Sequence, residues 1–192
     1  CDGAIMITAS HLPFNRNGFK YFDKEGGIAF GTDPKGVETI TSEIKKYAKQ
    51  PVIMKLSPNV TDITEMAKAA EAAGSDALSL INTLTGMKID VKRRAFAVAN
   101  KTAGVSGPAI HPIAVRMVYQ VANAVKLPII GMGGVMNTED ALEMIMAGAT
   151  AVAVGTANFH NPYATVEIIK GIEEYMQANG VDDINTLIGC VK

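Results

Sequence analysis

The sequence predicts an α/β fold, the C-terminal half of a TIM (β/α)8 barrel built from four βα units. Three observations carry this. Four short runs, VIMKL (52–56), ALSLI (77–81), PIIGM (128–132) and AVAVG (151–155), are apolar at consecutive positions, as strands covered on both faces are. Helical periods with start and stop signals separate them. Polar residues and glycines gather at or just after the end of each run: Lys55 and Ser57, Asn82 and Thr83, Gly133 and Gly134, Gly155 and Thr156. That is the carboxyl edge of a parallel sheet, where α/β proteins build their sites.

Taken in order, GAIMITA (3–9) reads as a strand, and its apolar, β-branched content asks for a covered place beside VIMKL. Asp62 with Glu65 has the spacing of a capping box. Ile63, Met66, Ala67 and Ala70 form the inward face of the helix that follows, and Gly74 ends it. Leu84 to Ile113 is a long connection, beyond the ~12–15 residues at which structureless loops become uncommon, and so a candidate lid or binding segment. Within it Lys92 to Arg94 reads as a solvated face, whereas AGVSG (103–107) would allow close backbone approach to a cofactor edge. Pro112 opens a helix with Ala114, Val118, Val121, Ala122 and Val125 inward. GMGG (131–134) leads to a helix near Thr138, and VGTANF (154–159) to one at Pro162 with Val166, Ile169 and Ile172 inward.

Four βα units fit either a doubly wound sheet or part of a barrel. Glycines after the last two consecutive strands, each followed by a short polar turn into a helix, match the phosphate site that barrels build after strands seven and eight. These units are therefore read as the last four of a barrel.

The 192 residues are 48% hydrophobic and fit one core better than two. A formal charge of −1 and a pI near 6.3 give no electrostatic footprint for nucleic acid or an anionic membrane. No apolar run reaches the ~18 residues of a membrane span, and no secretory signal pattern opens the chain. Cys1 and Cys190 have no metal-type spacing, which makes a reducing cytoplasm the expected location and leaves no metal site in view. A chain that opens on Cys1 reads as a fragment or a processed form.

The strand-end clusters suggest chemistry. Backbone amides around Gly133, Gly134, Gly155 and Thr156 can converge on a phosphate, where a Cβ would hold the ligand off. The alternative is a pair of tight turns. Lys55 can stabilise negative charge in a bound cofactor, or be a solvated strand-end lysine. Asn82 and Thr83 offer an amide and a hydroxyl to a polar planar ligand, or an ordinary cap.

KLSPNV, LINTLTGM, AGVSGPAIHPIAVRMV, PIIGMGGV and AVAVGTANF, in that order, resemble the dihydroorotate dehydrogenase catalytic subunit of class 1B, from about Lys24 to Lys192. The resemblance implies an FMN-binding (β/α)8 barrel that oxidises dihydroorotate to orotate in pyrimidine synthesis. It implies an NAD-linked partner subunit carrying FAD and a 2Fe–2S cluster, and a homo-oligomer. Lys55 would contact the flavin ring and stabilise its reduced form, and Ile81 and Gly107 would line the flavin. Asn82 and Thr83 would hold substrate, and Gly133, Gly134, Gly155 and Thr156 the FMN phosphate. The chain departs from the family at Ala103 and His111, where glycine and lysine are expected. It departs further upstream. The family's catalytic cysteine, counted back from Gly27, falls at Lys20, so no catalytic residue is retained.

In its place, GAIMITASHLPFNRNGFKYFDKEGG resembles the active-serine segment of phosphohexomutases, with Ser10 as phosphoryl carrier and His11 its neighbour. That family's DGDGDR-type metal loop is absent. The chain is thus expected to be a chimera joined within Lys24–Gly27, with a phosphohexomutase-like segment over 1–27 and a partial barrel over 28–192. A further reading is an inactive half-barrel that binds a phosphate compound.

Overall fold

The computed structural model describes residues 3–8, 18–23 and 33–191. Strand β1 (Gly3–Thr8) pairs antiparallel with β2 (Gly18–Asp23), from Gly3 opposite Asp23 to Thr8 opposite Gly18. The two form a sheet of their own. This corrects the expectation that GAIMITA lies beside VIMKL: strands close in sequence pair at a smaller loop-closure cost than distant ones.

From Asp33 the chain alternates helix and strand. Helix α1 (Pro34–Tyr47) is capped by Asp33, whose carboxylate accepts from the Gly36 amide at 2.8 Å, and carries Lys45 and Lys46 in its last turn. Next come β3 (Ile53–Lys55) and α2 (Ile63–Ala72). Asp62 caps α2 by accepting from Thr64, and Gly74 closes it at φ +87°. The reciprocal capping box expected at Asp62 and Glu65 occurs instead later in the chain, at Asn137 and Asp140.

Strand β4 (Ala77–Leu80) leads into an arm of two antiparallel pairs. In the arm β5 (Leu84–Met87) pairs with β8 (Thr102–Val105), and between them β6 (Ile89–Asp90) pairs with β7 (Ala95–Phe96). The long connection is therefore structured. Lys92, Arg93 and Arg94 at its tip are exposed, as expected. One 3₁₀ turn, Pro108–Ile110, precedes α3 (His111–Ala122), which buries Ala114, Met117, Val118 and Val121. Then follow β9 (Ile129–Met132), α4 (Thr138–Met146), β10 (Ala151–Ala153), the short α5 (Ala157–His160) and α6 (Ala164–Asn179).

The helix expected at Pro162 begins at Ala164, after the separate turn of α5. Its inward face differs in part, since Ile172 packs against the core as expected. Ala164 and Ile168 are buried, while Val166 and Ile169 are exposed. The cause is Gly171, where a Cβ would collide with the Thr138 side chain. Close approach of α6 to α4 selects the face through Ala164, Ile168 and Gly171 and turns Val166 and Ile169 outward.

Strands β10, β9, β4 and β3 lie side by side in that order, all parallel. Leu78, Leu80, Ile129, Val118, Val121 and Met144 form the centre of the core between the sheet and its helices. Because all four strands run parallel, their carboxyl ends share one edge.

Candidate functional site

At that edge lies a cavity of about 220 Å³ whose lining comes from all four strand ends. Lys55, the exposed last residue of β3, borders it. Ile81 is buried, and its amide donates to the Met132 carbonyl at 2.9 Å, tying β4 to β9. Asn82 and Thr83 follow at the rim, with the Asn82 amide donating to the Leu56 carbonyl at 3.0 Å.

Asn59 fixes this rim from below. Its Nδ2 donates to the Thr83 carbonyl at 3.1 Å, and its Oδ1 accepts from the Thr85 amide at 2.9 Å. Ser57 Oγ accepts from both nitrogens of Asn59 at 3.2 Å. Ser57, singled out at the strand end, thus acts through Asn59 on the base of the arm.

Gly133 and Gly134 take φ values of +131° and +71°, a conformation that disfavours other residues. A Cβ on Gly134 would stand 2.6 Å from the Gly107 carbonyl oxygen and 2.9 Å from the His111 nitrogen. Gly107, at φ +96°, and Gly155 are different, because a Cβ on either would meet nothing within 4 Å. Both border the cavity. The start of α4 is already satisfied by its own side chains: Asn137 accepts from Asp140, and the Asp140 carboxylate accepts from the amides of Met136 and Asn137. That helix end offers an anion less than the sequence suggested. Among the described residues, none accepts from the amides of Gly134, Gly155 or Thr156.

All nine residues nominated from the sequence therefore border one cavity. Ser106 was missed, although it stands inside the quoted AGVSG. It lines the cavity, and its Oγ accepts from Thr156 Oγ1 at 3.4 Å, linking the arm's end to the turn after β10. Lys20 lies in β2, opposite Met6. Ser10, His11 and Lys24–Gly27 lie outside the described residues.

A parallel α/β sheet with glycine turns after its last two strands and a polar rim at the carboxyl edge defines a class of ligand-binding α/β proteins. The family model for dihydroorotate dehydrogenase matches residues 23–176, and the chain belongs to that family. It is 79% identical over 169 residues to the dihydroorotate dehydrogenase B (NAD(+)) catalytic subunit of Lachnoclostridium phytofermentans, covering 88% of this chain and 56% of that protein. The correspondingly named protein of Alkaliphilus oremlandii is 60% identical over 166 residues, 86% of this chain and 55% of the relative. That of Trichlorobacter lovleyi is 57% identical over 169 residues, 88% and 56%. The chain spans about half the length of the curated relatives it matches. Among the described residues no helix is long and apolar enough to cross a membrane.

Proposed function

We propose that residues 28–192 are the FMN-holding half of a dihydroorotate dehydrogenase barrel, the family's oxidation of dihydroorotate to orotate being the activity to which it belongs. The observation that carries this is the single cavity that gathers glycine turns, a lysine and an amide–hydroxyl pair at one sheet edge. The residues fit the cofactor. Amides at Gly134, Gly155 and Thr156, which meet no acceptor among the described residues, suit a phosphate dianion, and the open space beside Gly107 suits close approach by a flat ring.

In this reading Gly133, Gly134, Gly155 and Thr156 hold the phosphate, and Ile81 and Gly107 border the ring. Asn82 and Thr83 orient the substrate. Lys55 supplies positive charge at the ring edge, where charge accumulates on reduction. The bound flavin would supply the hydride acceptor. The relatives' name, catalytic subunit, supports a partner subunit, for which an iron–sulfur, FAD-bearing protein linked to NAD is the proposed identity. A cytoplasmic homo-oligomer is proposed for the intact enzyme.

The test is titration of the purified full chain with FMN, followed by flavin fluorescence, alongside Lys55→Gln. Saturable quenching in the parent chain that weakens in the variant is expected. Absence of binding by the parent would overturn the reading.

A second reading attaches to residues 1–27 alone, through the likeness of TASH to the phosphohexomutase serine and the start of the family match at residue 23. Ser10 would carry phosphoryl. Intact-mass and peptide mass spectrometry after incubation with hexose phosphates tests it: an unmodified Ser10 rejects it.

A further inference from the structure

His111 is the first residue of α3, only 6% exposed, and its ring joins two elements. Nδ1 lies 2.9 Å from the Gly133 carbonyl oxygen. Nε2 lies 3.1 Å from Glu143 Oε2 and 3.8 Å from Asp140 Oδ1. A carbonyl and an ionised carboxylate can only accept. A neutral imidazole has one N–H, so one of its two nitrogens would turn a lone pair toward an oxygen lone pair. The doubly protonated ring donates at both.

The surroundings agree with a cation. Asp140 accepts amide hydrogens from Met136 at 2.8 Å and Asn137 at 3.3 Å, which its anionic form does best. Burial and the positive end of α3 oppose a charge on the ring. Two carboxylates from α4 and the Gly133 carbonyl face the ring as acceptors.

We propose that His111 is held as an imidazolium and is the positioning residue of the Gly133–Gly134 turn, whose amide holds an anionic group in the cavity. The Gly133 carbonyl and the Gly134 N–H belong to one trans peptide and point to opposite sides of it. Drawing the carbonyl to Nδ1 therefore turns the Gly134 N–H away from His111, and Gly134 borders the cavity. The grip also links anion binding to α4 through Asp140 and Glu143. The part concerning the anion rests on the function proposed above, while the protonation state stands without it.

Two measurements on the full chain separate these. Two-bond ¹H–¹⁵N correlation of the unliganded protein near neutral pH reads both ring nitrogens, with His111 assigned by its disappearance in His111→Gln. Protons on both nitrogens are expected, with the Nε2 proton lost preferentially in Glu143→Gln, a change at an exposed side chain. A singly protonated ring in the parent overturns the inference. Binding of FMN and of riboflavin, which lacks the phosphate, is then compared. His111→Gln should weaken FMN about tenfold and leave riboflavin nearly unchanged, and His111→Lys should recover most of the loss. Equal losses for both ligands, or none, would reduce His111 to packing and overturn the positioning role. If the parent binds neither ligand, the proposed function fails and the ring measurement alone decides.

Discussion

Gly134 and Gly155 border the same cavity, yet alanine at each probes a different demand. At Gly134 the backbone is left-handed and a new Cβ would press on backbone atoms of Gly107 and His111, which have no freedom to yield. Gly134→Ala should cost about 1–3 kcal/mol of stability, measured by urea unfolding. At Gly155 the methyl would enter empty space, so Gly155→Ala should keep stability within ~0.5 kcal/mol while lowering flavin affinity. Equal stability losses would show that Gly155 answers to packing. Asp76 offers a pH test. The Lys45 ammonium, at 2.8 and 3.0 Å, and the Val52 amide, at 2.6 Å, hold its carboxyl below the usual carboxylate range. Its folded value lies below the unfolded one near 3.9, so its stabilisation is present above that value and lost as pH falls through the folded one. Asp76→Asn should be less stable than the parent at neutral pH, and the gap should close in acid, as unfolding curves across pH would register.

At the scale of elements, the arm from Leu84 to Val105 hangs on Asn59, which holds the Thr83 carbonyl and the Thr85 amide with one side chain. Asn59→Ala should loosen the arm's base at a cost of about 0.5–1.5 kcal/mol, seen as faster hydrogen exchange at Thr85 with the core strands unchanged. Protection equal to the parent would show that the β5–β8 pairing suffices. The arm also marks where the sequence stopped being legible. Its strands are two to four residues long and mostly exposed, so no alternation distinguished them from loop. By contrast, the four core strands announced themselves by continuous apolarity, and all nine nominated residues came together because the ends of parallel strands share an edge. The outward turn of Val166 and Ile169 was hidden for a different reason. It depends on Gly171 meeting Thr138, a contact between helices that no helical period encodes.

For the molecule as a whole, the chain reaches only about half the length of its curated relatives, and β2 carries Lys20 in a sheet apart from the strands that frame the cavity. The full chain with FMN, dihydroorotate and an electron acceptor should therefore show little or no turnover, since loss of a placed general base alone costs about 10²–10⁴ in rate. Lys20→Cys should not restore it, because β2 pairs in a sheet apart from the four strands whose ends border the cavity. Turnover comparable to a full-length relative in either chain would refute this. The four-stranded sheet has a wider consequence. Among the described residues, β3 and β10 each have a neighbour on one side only, and any strand edge left without a neighbour would be a template on which another polypeptide could continue the hydrogen-bond ladder. Three residues at each border present only about 10 Å of template, and Lys55 places a charge on one of them. Short borders, one of them charged, discourage edge-to-edge association.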